Sequence, residues 1–279
     1  MDDLYPLVTV YIPTFNRRKF LERALISVIT QTYKNIEVIV VDDGSTDDTE
    51  VFMQAFMLKY TNVRYLKHDT PEGANAARNY AIREARGYFV TGLDDDDEFL
   101  PERIEKLVEA YDDKYAYIFS KWYIINKENT KQTQKYIFDT ITLNDMLNKN
   151  ITGNQVLAKK ELFLACSLFD ETLPSAQDYD MWIRMLCKIP IAKMIAQPLY
   201  NMYVTPHQRI STSKKQLEGY LKCYNKHKHL MRKEHRKESL IQFRSVKEKK
   251  ITSLKMIRRL YPKHKWLRMY LGYGKRKLF

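Results

Sequence analysis

Residues 7–112 alternate short apolar runs with segments whose apolar residues recur at helical spacing, and this alternation restricts the fold more than any other feature of the chain. Leu7–Ile12, Ile36–Val41, Val63–Leu66 and Tyr88–Leu93 read as strands. Ile36–Val41 is rich in β-branched residues, as expected of a strand covered on both faces of a parallel sheet. Helices are expected where Leu21, Leu25, Val28 and Ile29 share a face, over Thr49–Tyr60, over Ala74–Ala85, and after Pro101, with Ile104, Leu107, Val108 and Tyr111 inward. Asn16 is expected to cap the first helix, and Gly87 to close the third in a left-handed conformation. Through residue 112 right-handed crossovers give a mostly parallel open sheet, and with the later strands the expected fold class is α/β, a Rossmann-like open mixed sheet flanked by helices. Tyr115–Ile125 reads as a further strand and Asp178–Lys188 as a further helix.

The fourth strand runs straight into four carboxylates, Asp94–Asp97. Adjacent like charges become tolerable when a cation or a ring of hydrogen-bond donors neutralises them. Open α/β sheets bind ligands beyond the carboxyl ends of their strands, which here carry Pro13–Asn16, Asp42–Ser45 and Asp94–Asp97, with Arg78 on the intervening helix. Carboxylates at the second strand suit ribose hydroxyls or a base N–H. The fork of Arg78 suits a phosphate or a pyrimidine carbonyl, and the quartet suits a divalent ion on a diphosphate. The constellation describes a site for a nucleoside diphosphate with its metal. No Gly-x-Gly-x-x-Gly follows the first strand, which argues against the usual dinucleotide site, and no phosphate-binding P-loop is present.

The chain has 279 residues, and its 44% hydrophobic composition suits a packed globular core. No run approaches the roughly 18 apolar residues of a membrane span, and the acidic start lacks the pattern of a signal peptide. Cys166, Cys187 and Cys223 are widely spaced, suiting a reducing compartment and packing roles. The expected location is therefore the cytoplasm.

Charge divides the chain in two: residues 1–212 hold 25 Lys+Arg against 30 Asp+Glu, and residues 213–279 hold 22 against 4. Within the basic segment Leu217, Tyr220, Leu221 and Tyr224 share helical spacing, as do Leu254, Ile257 and Tyr261, and Trp266, Tyr270 and Tyr273 follow. We expect a domain over 1–212 and a basic amphipathic helical extension over 213–279. Such an extension suits the anionic inner face of the cell membrane. Docking on a partner, nonspecific nucleic-acid binding and a solvated cover for the core are the alternatives, and no specific nucleic acid is expected.

Four segments carry a resemblance: Val8–Arg17 (VTVYIPTFNR), Glu37–Asp47 (EVIVVDDGSTD), Gly73–Asn79 (GANAARN) and Leu93–Asp97 (LDDDD). A fifth, Ser175–Arg184 (SAQDYDMWIR), follows in order. Together they resemble family 2 glycosyltransferases of the GT-A fold over about residues 7–212. The resemblance implies inverting transfer from a nucleotide sugar, most often a UDP-sugar, to a hydroxyl of a lipid-linked or surface-glycan acceptor, with Mg²⁺ or Mn²⁺. It places Pro13, Thr14 and Asn16 at the base pocket, Asp42 and Asp43 on uracil and ribose, and Arg78 on the nucleotide. It implies Asp94 and Asp95 at the nucleotide sugar and Asp96 at the metal, with the register of the quartet open by one residue. Asp178 corresponds to the catalytic base, with Gln177 standing where a glutamate is usual. His207 and Arg209 are further candidates near the diphosphate. Asp180 is expected to pair with Arg184, and Met181 and Trp182 to lie in the core. A sugar-1-phosphate nucleotidyltransferase and a non-catalytic binding protein on this fold are the competing functions.

Overall fold

A computed structural model describes residues 5–126, 128–135, 138–204 and 213–239. The chain forms two compact units, one of residues 1–146, 150–172 and 177–209, the other of residues 147–149, 173–176 and 210–279.

In the first unit β1 (Val8–Thr14), α1 (Arg18–Ile29), β2 (Ile36–Asp42), α2 (Thr49–Lys59), β3 (Val63–Lys67), α3 (Ala74–Glu84) and β4 (Phe89–Gly92) alternate as the sequence predicts. There follow β5 (Glu98–Phe99), α4 (Arg103–Glu109), β6 (Ile118–Ile125), β7 (Lys131–Thr133), β8 (Thr140–Thr142), α5 (Leu143–Asn148), β9 (Leu157–Lys159), α6 (Lys160–Ala165), α7 (Gln177–Lys188) and β10 (Ile191–Tyr203). The sheet order is β3-β2-β1-β4-β9-β6-β10-β5, with β7 on β6 and β8 on β10.

β3-β2-β1-β4 is a continuous parallel block, as the alternation through residue 112 predicts, and β6 and β10 are also parallel. Between these β9 runs antiparallel to both β4 and β6, so the sheet as a whole is the open mixed sheet that the resemblance implies. β2 is buried along its whole length, as its composition requires. The parallel block brings the C-terminal ends of β1, β2 and β4 to one edge, where β1 pairs Thr14 with Asp42 and Tyr11 with Gly92.

Two local expectations are corrected. Asn16 does not cap α1, whose N-cap is Arg17 with no side-chain cap bond; Asn16 instead adopts φ 54°, a left-handed conformation that asparagine tolerates. Gly87 is not left-handed, because α3 ends at an extended Ala85. The glycine is needed for close approach: a Cβ there would sit 2.5 Å from the backbone nitrogen of Thr9.

α7 is fixed by Trp182, which is 1% exposed and meets the rings of Tyr117, Phe163 and Phe169 at 5.6, 6.3 and 6.1 Å. Met181 is also buried, and Arg184 bonds Asp180 at 2.7 Å, as expected from their spacing. Trp182→Ala is expected to cost about 3–5 kcal/mol in urea unfolding, since it opens a large cavity in an aromatic cluster. Cys166 is buried but Cys187 is exposed, so only the former is a packing residue.

In the second unit α8 (Ser213–His227) forms where the helical spacing predicts. Its buried positions are Gly219, Cys223 and His227 rather than the apolar set, and Leu221 is exposed. The expected helix containing Leu254, Ile257 and Tyr261, and the aromatics Trp266, Tyr270 and Tyr273, lie outside the described residues. Among the described residues no helix is long and apolar enough to cross a membrane.

Candidate active site

The edge formed by β1, β2 and β4 gathers most of the singled-out side chains. The acidic segment after β4 alternates: side-chain exposure is 28% for Asp94 and 27% for Asp96, against 6% for Asp95. Asp97 is 2% exposed overall. The segment thus has two partly exposed and two buried carboxylates, an alternation from which the register of the proposed site is read.

The charge problem is met from within. Arg78 donates to Asp94 Oδ1 at 3.0 Å, and Asn154 donates to Asp94 Oδ2 at 2.7 Å. Arg17 Nη1 bridges Asp95 Oδ1 and Asp96 Oδ2, each at 3.0 Å, and Thr14 donates to Asp95 Oδ2 at 2.8 Å. Arg23 donates to the backbone carbonyl of Asp96. Asp97 accepts from the backbone N–H of Tyr203 at 2.9 Å, tying the end of β10 to the acidic turn. Burial nevertheless pushes Asp95 up to about 6, with Arg17 opposing and Asp96 adding to the rise. Burial and the neighbouring Asp94 raise Asp96, and burial raises Asp97 well above the usual carboxylate range.

Asp95 is buried and held between Thr14 and Arg17. The two partly exposed acids are hard oxygen donors, and each lies beside a guanidinium, Asp94 against Arg78 and Asp96 against Arg17. They fit a divalent ion such as Mg²⁺ or Mn²⁺.

At the end of β2 the geometry is again specific. Asp42 is fully buried, and its carboxylate accepts from the N–H of Ser45 at 2.8 Å and from Tyr65 Oη at 2.5 Å. Asp43 accepts from the N–H groups of Glu72 and Gly73, each at 2.8 Å, and lies 2.8 Å from His68 Nδ1. These bonds make Asp42 a builder of the β2 turn and Asp43 the clamp on the loop leading into α3. Asn16 Oδ1 accepts from Thr46 N–H at 2.8 Å, locking the β1 and β2 loops together. Pro13 is half-buried and Thr14 buried behind them.

Arg78 is 8% exposed, and Asn75 Oδ1 accepts from its Nη1 at 3.2 Å. Burial works against its charge, but Asp94 and Asp178 raise its basicity above the usual arginine value. Asp178 lies in the first turn of α7, partly buried, with Gln177 Nε2 at 3.5 Å. Burial pushes its carboxyl up to about 7; Arg78 opposes this and Asp94 adds to it. Asp178, Arg78 and Asp94 thus form one electrostatic group although they come from α7, α3 and the turn after β4. A carboxyl poised near neutrality beside a cation is suited to accepting a proton at physiological pH. His207 and Arg209 lie outside the described residues.

Arg17, Arg23, Asn154 and Tyr200 were not singled out by sequence. The consecutive Arg17-Arg18 after the β1 loop, opposite an acidic quartet, was the available signal for Arg17. Asn154 offered only a Thr-Gly-Asn turn before a strand, and Tyr200 none.

The open mixed sheet and the acids and arginines gathered at one edge define the class of α/β protein to compare. The family model "Glycosyl transferase family 2" matches residues 9–169, and the chain belongs to that family. It is a glycosyltransferase of the GT-A fold, which sets aside the nucleotidyltransferase and non-catalytic alternatives. WcaA of Escherichia coli (strain K12), a candidate colanic acid biosynthesis glycosyl transferase, is 31% identical over 88% of this chain and 90% of its own. A Campylobacter jejuni GalNAc(5)-diNAcBac-PP-undecaprenol beta-1,3-glucosyltransferase is 31% identical over 57% of this chain and 48% of its own. Among solved structures, S. aureus TarS 1–349 in complex with UDP-GlcNAc has a TM-score of 0.69 at 18% identity, covering 91% of this chain and 82% of that one. The chain spans 50% of a longer TarS chain. The mannosyltransferase PcManGT of Pyrobaculum calidifontis, in complex with GDP-Man and Mn²⁺, has a TM-score of 0.61 at 17% identity, covering 98% and 81%.

Proposed function

We propose that the protein transfers a sugar, with inversion, from a nucleotide sugar to a hydroxyl of a lipid-linked or surface-glycan acceptor. The observation that carries this reading is the grouping of Asp178, raised to about 7, with Arg78 and the outward-facing Asp94. Asp178 in its ionised form takes the proton of the acceptor hydroxyl as that oxygen bonds to the anomeric carbon. The bond from that carbon to the diphosphate breaks on the opposite face, and its electrons leave with the diphosphate. One displacement inverts the configuration, and no sugar–enzyme bond forms. Arg78 and Asp94 orient the nucleotide, and Pro13, Thr14 and Asn16 shape the base pocket. A divalent ion held by Asp96 would supply charge stabilisation to the leaving diphosphate.

The UDP-GlcNAc complex of TarS supports a uridine donor, the Mn²⁺ complex of PcManGT supports a metal, and the undecaprenol-linked substrate of the Campylobacter relative supports a lipid-linked acceptor. The division into residues 1–212 and a basic extension over 213–279 belongs to the same reading. Its 22 Lys+Arg against 4 Asp+Glu favour peripheral attachment at the cytoplasmic face of the membrane. Thermal shifts with UDP-, GDP-, CMP- and dTDP-sugars, with and without Mn²⁺, test the donor. A metal-dependent shift with UDP-sugars is expected, and a shift with only another nucleotide would overturn the uridine assignment. The base assignment carries a pH signature. With saturating donor, transfer is expected to rise about tenfold per pH unit up to about 7 and then level, because only the ionised carboxyl accepts a proton. A rate independent of pH between 5 and 7, about two units below that point, would remove Asp178 from the role.

A further inference from the structure

Both carboxylate oxygens of Asp94 are held: Arg78 donates to Oδ1 at 3.0 Å and Asn154 to Oδ2 at 2.7 Å. Arg78 and Asp94 both belong to the candidate site already described. The Asn154 contact belongs to an unassigned line of side chains that starts deep in the core. Tyr200 Oη donates to Asn154 Oδ1 at 2.8 Å, which fixes the amide so that its Nδ2 faces Asp94. Tyr200 is itself 1% exposed and held on both faces. The Trp122 ring stacks on it at 5.8 Å, and the Arg103 guanidinium sits 4.7 Å from its centroid.

Arg103 is unusual. It is fully buried, with no carboxylate partner among the described residues; Ser120 Oγ accepts from Nη1 at 2.7 Å, and the rings of Phe99 and Tyr200 face the guanidinium. Burial lowers its basicity to about 10, which leaves it charged at neutral pH. A cation against the ring of Tyr200 makes its hydroxyl a better donor and holds the ring in place. The backbone around Asn154 is equally fixed. Gly153 has φ 84° with Trp122 packed where a Cβ would lie, 2.9 Å away, and its carbonyl accepts from Trp182 Nε1 at 3.0 Å.

We propose that Asn154 is a positioning residue for the donor site, holding Asp94 in the orientation that meets the nucleotide sugar, with Tyr200 and Arg103 setting the direction of its amide. The inference rests on the reading that Asp94 faces the donor. It makes the precision of the acidic turn depend on the β9–β10 half of the sheet as well as on α3. A carboxylate held by Arg78 alone keeps its charge but loses one of two constraints on its rotation, so affinity falls while the site survives.

The test measures UDP and GDP affinity calorimetrically with Mn²⁺, using whichever the wild type binds, in Asn154→Ala, Tyr200→Phe, Asp94→Asn and the pairwise combinations. Asn154→Ala is expected to weaken binding about tenfold and Tyr200→Phe about threefold, as for loss of a charge-assisted and a neutral bond. Tyr200→Phe is expected to add nothing once Asn154 is alanine, and Asn154→Ala to add little once Asp94 is asparagine. A merely structural role gives losses in Tm without these couplings, and additive or absent affinity changes overturn the proposal. If Asp94→Asn weakens binding but Asn154→Ala does not, only the positioning role falls. If Asp94→Asn leaves affinity unchanged, or neither nucleotide binds, the donor-site reading falls with it.

Discussion

Asp178→Asn is expected to lower transfer by about 10²–10⁴-fold, the usual worth of a general base, while donor affinity stays within a few fold of wild type. The amide copies the shape of the carboxyl and keeps α7 in place, but it cannot accept a proton from a hydroxyl. The variant is also expected to unfold at the same temperature as wild type or slightly higher. Burial is the largest influence on Asp178 and disfavours its charged form, so removing the charge relieves a cost rather than creating one. Retained binding, retained stability and lost transfer together separate a catalytic role from a merely structural one in the first turn of α7. A structural role alone predicts a stability loss and near-normal transfer.

The second large effect is at Asp96. Asp96→Asn is expected to cost about 3–4 kcal/mol in transfer, two to three orders of magnitude, and to make nucleotide binding insensitive to Mn²⁺. Asp95→Asn provides the contrast one residue away. Asp95 is buried between Thr14 and Arg17, so its amide variant is expected to keep the metal response and to alter stability instead. If Asp95→Asn abolished the metal response and Asp96→Asn spared it, the register read from the exposures of the quartet would be wrong.

Arg17 gives the acidic turn its electrostatic character. Part of the charge on the quartet is compensated by Arg17, Arg23 and Arg78. On the proposed reading the ion would sit at Asp96 beside Arg17. Arg17 also links α1 to the turn after β4, which explains how a helix with no side-chain cap bond at its N-cap is held at the site.

Much of this was legible in the chain. The β-branched content of Ile36–Val41, the alanine-rich α3 and the helical spacing in α1 and α4 are local signals, and each element formed within a few residues of its expected bounds. The antiparallel insertion of β9 between β4 and β6 was not legible, because a three-residue strand has too little periodicity to register. The grouping of acids at strand ends pointed to this edge of the sheet, but not to the direction of each side chain. The alternation of Asp94–Asp97 depends on the turn's backbone, and the partners of Asp42 and Asp43 come from β3 and the loop before α3. Asn154 and Tyr200 were silent for the same reason: their relevance lies in contacts across 60 and 46 positions of sequence, to Asp94 and Asn154 respectively.

A crystal structure with an unhydrolysed UDP-sugar analogue and Mn²⁺ tests the central claim most directly. The account predicts the ion on Asp96, the nucleotide between Arg78 and the β1–β2 loops, and the anomeric carbon facing the Asp178 carboxylate with room for a hydroxyl between them. A nucleotide bound away from the ends of β1, β2 and β4, or an anomeric carbon whose open face is turned from Asp178, would contradict it.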